Sequence, residues 1–440
     1  MRCGVTLRRG GLLLMIGAWA FTTVVSAQAP QAMPANDLHK VRGMLREAYE
    51  IVKKNYYDTT FHGVDLDARF KEYDEKMKTA PTMNVGITLV AGFLDGLKDT
   101  HTYFQPPARS YAIDYGYRLA VIGDEIFVER VRPGTDADAK VHAGDRLMAL
   151  NGNGVSRDSF MRMQYLLNTL QPQPTTRLTV RDPAGAERTV SVETKVTPGR
   201  AVRAFNSEGL QDMELQQQAA DHLLRPRHVE QGGVMIWKMP VFAMSNGDVD
   251  QLFALARKQT ALILDLRGNP GGLIDSLRRM LGNVFPADVP IGTRVTRKGR
   301  VALTAKTRGA DAFNGKLIVL IDSGSGSSAE LFARVVQLER RGTVIGDRSA
   351  GAVMEALAYA SGQGDLDLAI LYGFVVTEAD LLMKDGHSLE GAGVTPDELL
   401  LPTGQDLAQG RDPVLARAAK LAGLDLDAVA AGKLFPFEWK

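Results

Sequence analysis

The sequence predicts an α/β core with a largely parallel sheet, preceded by a helical unit and carrying an inserted β-rich module. Three observations predict this. Beyond Gly233, apolar strand-like runs alternate with helical stretches, the pattern of a parallel sheet covered on both faces. Between Val41 and Val52, apolar residues recur at three- and four-residue spacings, as on the buried face of an amphipathic helix. Across 113–198, short β-rich runs are separated by Pro133-Gly134, Gly144-Asp145 and Asn151-Gly152-Asn153-Gly154, which are turn signals. The chain has 440 residues, enough for two or three domains, and 45% of them are hydrophobic, which supplies a sizeable core. Lys+Arg is 52 against Asp+Glu 51. That balance excludes the basic excess of a nucleic-acid binder, and the composition excludes a disordered chain.

In chain order, residues 1–27 have the form of an export signal. Arg2, Arg8 and Arg9 precede the apolar run Leu12–Val25, and Val25-Ser26-Ala27 offers small residues for cleavage. The run is too short to span a membrane comfortably, and no later segment offers about 20 apolar residues. Cys3 is the only cysteine, so a processed chain has no disulfide, thiolate metal site or cysteine nucleophile. Residues 28–36 are a Gln/Ala/Pro-rich lead-in. A helical domain spans 37–112, with further helices near 65–79 and 84–98, and ends around Asp99–Phe104. The β-rich module spans 113–198, with one helix at 157–169. A polar connector at 199–232 holds a helix near 207–224. The core spans 233–402, with strands at Val234–Met239, Ala261–Leu266, Leu317–Ile321 and Thr343–Ile345 and helices at 247–258, 273–283 and 328–340. Terminal helices at 413–433 fall within a 403–440 tail.

Two strand-to-helix junctions of the core can carry chemistry. In Asp265-Leu266-Arg267-Gly268-Asn269-Pro270-Gly271-Gly272, a Gly-rich turn brings bare N–H groups to a helix start, which suits a phosphate or an oxyanion. No Gly-Lys-Ser/Thr follows, so it is not a nucleotide-binding P-loop. In Asp322-Ser323-Gly324-Ser325-Gly326-Ser327-Ser328-Ala329-Glu330, a serine at the junction is exposed to neighbouring N–H groups and suits a nucleophile. The same residues fit a plain capping box from Ser327 to Glu330. A serine nucleophile needs a base, and of the seven histidines, His101 stands out in a short non-helical segment. His387 lies in a turn. No His/Asp/Glu set has metal-ligand spacing, so neither a metal nor another cofactor is expected.

At these residues the chain resembles the C-terminal processing (tail-specific) proteases and their tricorn-type relatives. Asp265–Gly272 is similar to that family's Asp-x-Arg-x-Asn-x-Gly-Gly turn. Ser327–Glu330 is similar to its nucleophile loop, and Glu390-Gly391-Ala392-Gly393-Val394-Thr395-Pro396-Asp397 to its Gly-Val-x-Pro-Asp signature. Residues 113–198 resemble the PDZ domain inserted before its protease core. Many bacterial members use a Ser–Lys dyad. Here Ala352 stands at the lysine position and Leu338 at that of its acidic companion, so the dyad is absent.

The resemblance implies a crotonase/ClpP-like core and a serine endopeptidase of exported, periplasmic or secreted location. Following the tricorn-type branch, it implies Ser327 as nucleophile, His101 as base, and Glu390 with Thr100 orienting the ring. It implies an oxyanion hole from the N–H groups of Ser328 and of Gly271 or Gly272. Its partner is a polypeptide bound by the C-terminal end, with Tyr115, Gly116 and Tyr117 as the carboxylate loop. The alternative is a non-catalytic binding protein on the same scaffold, taking a hydrophobic ligand or peptide.

Overall fold

The computed structural model describes residues 33–198, 225–363 and 370–439. The export signal, the start of the lead-in and the connector helix expected near 207–224 lie outside the described residues.

Three helices open the fold: α1 (Ala35–Asn55), α2 (Leu66–Lys78) and α3 (Met83–Asp95). α1 buries Val41, Met44, Leu45, Ala48 and Val52, the stripe visible in the sequence. α2 and α3 start on side-chain caps, with Asp65 accepting the Ala68 N–H and Thr82 that of Val85. A Cβ added at Gly86 of α3 would stand 3.0 Å from Val41, so α1 and α3 pack closely there. The third helix stops at Asp95, short of the expected 98. Lys98 takes a left-handed φ of 57°, and the Asp99 carboxylate captures the N–H groups of His101 and Thr102. The chain then enters β1 (Tyr103–Gln105).

The inserted unit contains β2 (Tyr111–Asp114), β3 (Tyr117–Ile122), β4 (Glu125–Val131), β5 (Arg146–Leu150), β6 (Asn153–Gly154), α4 (Arg157–Tyr165), β7 (Thr175–Arg181), β8 (Glu187–Glu193) and β9 (Lys195–Pro198). Its sheet runs β3-β4-β5-β7-β8, with β6 on β5, and β2 pairs with β9 as a stem. A Ser156–Ser159 capping box starts α4, and a π-helical turn over Leu166–Leu170 replaces the last turn of the expected 157–169 helix. Arg157 anchors the unit to the core. It donates to Gly123 O at 2.7 Å, Asp347 Oδ2 at 3.1 Å, Ser349 O at 3.2 Å and Arg348 O.

The core holds β10 (Arg227–Gln231), β11 (Val234–Lys238), α5 (Asn246–Ala256), β12 (Ala261–Asp265), α6 (Ile274–Val284), β13 (Val289–Thr296), β14 (Gly299–Ala305), β15 (Lys316–Ile321), α7 (Ser328–Leu338), β16 (Thr343–Gly346), β17 (Met354–Gln363), β18 (Ile370–Met383) and β19 (Glu398–Leu399). Helices α8 (Gly404–Ala408), α9 (Pro413–Ala422) and α10 (Ala428–Lys433) close the chain. The main sheet runs β10-β11-β12-β15-β16-β19, parallel except for the β10–β11 pair. Met235, Trp237, Leu262, Leu264, Leu317, Val319 and Ile321 face the helices α5, α6 and α7. The alternate residues Val234, Ile236, Ile263, Ile318 and Leu320 face α9 and α10. Burial on both faces explains the unbroken apolar runs.

The sequence reading did not anticipate a second sheet, β1-β18-β13-β14 with β17 along β18, which is antiparallel throughout. Phe104 of β1 and Tyr372, Phe374 and Val376 of β18 share one core with α1–α3. The helical unit is thereby fixed to the strands that carry the far half of the site.

Candidate active site

Ser327 stands between β15 and α7 with φ 50° and ψ −118°. A residue other than glycine rarely adopts that conformation, and it persists only where its surroundings over-determine it. The surroundings do so. The Ser327 N–H reaches Ala352 O at 2.8 Å and Glu330 Oε2 at 3.0 Å. Gly326 N–H donates to Asn269 O at 2.9 Å, and Ser325 Oγ donates to Leu266 O at 2.9 Å. Gly268 and Gly324 both donate to Asp322 Oδ1. The two Gly-rich turns are thus stitched to each other.

Glu330 is the hub. It is 0% exposed and also accepts from Ser349 Oγ at 2.5 Å, Gly351 N at 2.8 Å and Ala352 N at 2.9 Å. Burial pushes its carboxyl above the ordinary range, and these donors oppose that. Its position three residues after Ser327 reads as a cap in the sequence. The partners at 349–352 are visible only in the fold.

The Asp265–Gly272 turn divides into a clamp and a cradle. Arg267 donates to both oxygens of Asp265 and both of Asp412, the N-cap of α9. Burial alone would raise the Asp265 carboxyl, but Arg267 and Lys238 beside it hold it far below the usual range. Asn269 donates to Met239 O at 2.8 Å and accepts the Gly271 N–H at 2.8 Å. Gly271 has φ 102°, and a Cβ there would stand 2.6 Å from Ser327 Cβ and 2.9 Å from Ser328 N. No larger residue fits against the serine. The Gly271 N–H is taken by Asn269, so of the three candidate donors beside Ser327 those of Gly272 and Ser328 stay open to an acceptor among the described residues. Ser328 Oγ, at 3.0 Å from Gly272 O, holds these two residues together.

The other half lies on the 98–102 turn and the 388–394 loop. His101 Nδ1 is 2.8 Å from Thr100 Oγ1, which is 3.2 Å from Glu390 Oε2, and Glu390 Oε1 accepts the Thr100 N–H at 2.7 Å. Glu390 Oε2 also accepts the Val353 N–H at 2.9 Å. One peptide unit therefore joins the halves. The Ala352 carbonyl receives the Ser327 N–H, and the N–H of the same peptide donates to Glu390. Among the described residues no hydrogen bond joins His101 directly to Ser327. Burial pushes the His101 imidazole below its ordinary value, and the Asp99 carboxylate partly opposes this. Burial pushes Glu390 up, against its bonds to Thr100 and Val353.

The Tyr115–Tyr117 loop sits where β2 passes into β3. Tyr115 OH donates to Leu167 O at 2.9 Å, and the Gly116 N–H is held by Asp114 Oδ1 at 2.9 Å. Tyr117 is buried, its hydroxyl 3.1 Å from Thr176 Oγ1. A carboxylate bound here has to displace Asp114 from Gly116. Beside the loop, a cleft of about 630 Å³ is lined by Tyr103, Tyr111, Tyr115, Tyr165, Arg109 and Pro172, among others. Among the described residues no group of His, Cys, Asp and Glu could hold a metal ion.

Residues 233–400 match the family model of peptidase family S41, and residues 39–82 match that of the tricorn protease C1 domain. The chloroplastic C-terminal processing peptidase of Tetradesmus obliquus is 24% identical over 401 residues, covering 84% of this chain and 80% of its own. The tail-specific protease of Haemophilus influenzae is 26% identical over 317 residues, covering 68% of this chain and 43% of its own. In fold, the chain resembles mature CPAF with a TM-score of 0.65 at 14% identity, covering 85% of this chain and 95% of that one. It resembles the photosystem II D1 C-terminal processing protease with a TM-score of 0.53 at 18% identity, covering 90% and 99%.

Proposed function

We propose, since this chain belongs to peptidase family S41 and is a serine-type peptidase, that it hydrolyses peptide bonds through Ser327 with His101 as base. The observation that carries this reading is the Glu390–Thr100–His101 chain, tied to Ser327 through the 352–353 peptide.

The chemistry follows from counting protons. Thr100 has one hydroxyl proton, and it goes to the Glu390 carboxylate. Thr100 Oγ1 must then accept from His101 Nδ1–H, which leaves the Nε2 lone pair free. Burial keeps the ring neutral at neutral pH. When a substrate carbonyl is seated, Nε2 takes the Ser327 Oγ proton as Oγ bonds to the carbonyl carbon. The oxyanion meets the N–H groups of Gly272 and Ser328, each such donor contributing about 3 kcal/mol. The imidazolium, stabilised by Glu390 through Thr100, returns its proton to the leaving amine as the C–N bond breaks. Water activated by the same Nε2 then hydrolyses the acyl-enzyme.

The substrate in this reading is an unfolded or tail-presented polypeptide. Support comes from the tyrosine-lined cleft, whose wall includes Tyr103, two residues along the chain from His101, and Tyr111, Tyr115 and Tyr165 of the inserted unit, a place where an extended chain end can be held by stacking and backbone hydrogen bonds. We read residues 1–27 as a removed signal and the enzyme as exported. No helix of the described residues is long and apolar enough to cross a membrane. The test is casein cleavage by the full chain beside Ser327→Ala and His101→Ala. Both variants should be inactive. Undiminished cleavage by either one sinks its assigned role, and a parent chain that binds but cleaves no unfolded substrate favours the binding-protein alternative.

A further inference from the structure

The mechanism above uses Glu390 and Thr100 but not the carboxylate nearest to the His101 backbone. Asp99 accepts four hydrogen bonds from three separate pieces of the fold. Its Oδ1 takes the N–H of His101 at 2.9 Å, the N–H of Thr102 at 2.7 Å and Thr377 Oγ1 at 2.8 Å. Its Oδ2 takes Tyr56 OH at 2.7 Å. Tyr56 caps α1 and is fully buried, and Thr377 on β18 is likewise buried. A second tie reinforces the seat, since Thr102 Oγ1 lies 3.1 Å from both Thr377 Oγ1 and Thr377 N. This is more than a turn needs. Two N–H bonds close the turn, whereas the Tyr56 and Thr377 hydroxyls fix the carboxylate itself.

We infer that Asp99 is a positioning residue for the base: it seats the His101 backbone against β18 and α1, and it supplies a second negative charge beside the imidazolium that forms during turnover. The inference rests on the reading of His101 as the base. The two carboxylates then divide the work. Glu390 acts through Thr100 on Nδ1 and selects the tautomer. Asp99 acts through the main chain and through space.

Asp99 shares the surroundings of Tyr56 and Tyr57 at the end of α1 with Asp58, Asp380 and Glu390, and the His62 ring packs against both tyrosines. The Asp99 charge acts on the ring of His101 through space, favouring its protonated form against the effect of burial, beside the support that Glu390 gives through Thr100. It also disfavours the charge on Glu390, so its removal shifts both partners of the relay.

The test reads the His101 ring directly. In the full chain with ¹³C-labelled histidine, the His101 resonance is identified by its loss in His101→Gln, and its titration is followed by NMR in Asp99→Asn. Asparagine keeps an oxygen for the two N–H groups and removes the charge. The midpoint should fall by about one pH unit, and kcat should fall about tenfold with little change in KM. Asp99→Ser, whose hydroxyl also accepts locally from backbone N–H groups, carries the same prediction if the asparagine variant does not fold. Asp99→Glu restores the charge and should return the midpoint toward wild type. An unmoved midpoint overturns the inference whatever happens to turnover, because a merely structural residue would behave that way, and it leaves the peptidase reading standing. Undiminished turnover by His101→Ala overturns the reading of the base and this inference with it.

Discussion

The loop that carries Ser327 and the turn that carries His101 are held in different ways. The serine half is local to one sheet. β12 and β15 are neighbours, their C-terminal turns exchange hydrogen bonds, and Glu330 fixes Ser327 from three residues away. The histidine half is assembled over long separations. Thr100 and Glu390 are 290 residues apart, and Asp99 is held by α1 and β18. A single peptide unit, Ala352–Val353, bridges the two. The difference teaches that Ser327, the proposed nucleophile, is built into the scaffold, whereas His101, the proposed base, is delivered to it. Substitutions in the serine half should therefore remove the site, and those in the histidine half, His101 itself apart, should detune it.

The largest effect expected is that of Ser327→Ala, a loss of at least about 10³-fold in kcat with the fold retained. Gly271→Ala comes next. The added Cβ meets Ser327 at 2.6 Å and sits on a φ of 102°, so kcat should fall about 10²-fold and the melting temperature should drop. A normal melting temperature with normal kcat in that variant would show that the cradle is loose. On the histidine side, Thr100→Val removes the hydroxyl that carries the relay and should lower kcat about 10- to 100-fold with little change in stability. Equal losses of stability in Thr100→Val and Gly271→Ala would erase the contrast between the halves.

The smallest expected effect is on pH dependence. Burial lowers the folded His101 value below that of a free imidazole. The neutral, base-competent ring therefore persists to lower pH, and the acid limb of kcat/KM should lie below about 6.5. The same sign holds for stability. Between the two values the unfolded chain binds the extra proton, so this group's contribution is full above about 6.5 and declines as pH falls toward the folded value. An acid limb above 7 contradicts the burial argument.

Much of the serine half was legible in the sequence because its determinants are contiguous. The apolar strand, the glycines and the serine at the helix start can be read along Asp265–Gly272 and Asp322–Glu330. The double role of Glu330 was not legible, since a capping box and a hub for residues 349–352 have the same spacing. Gly271 and Gly272 read alike, and only the Asn269 side chain separates them, by taking the N–H of the first. On the other side, His101, Thr100 and Glu390 could be named by resemblance but not joined. What joins them is β18, whose strand and partners carry no simple apolar period, and a peptide unit at Ala352–Val353 that has no side-chain signature at all.

The measurement that bears most directly on the central claim is covalent labelling of the full chain by a fluorophosphonate, with the modified residue mapped by mass spectrometry. Labelling should fall on Ser327, and its rate should collapse in His101→Ala while the melting temperature holds. Labelling of Ser327 at the wild-type rate without His101, or labelling at another serine, would contradict the account of one catalytic unit bridged by the 352–353 peptide.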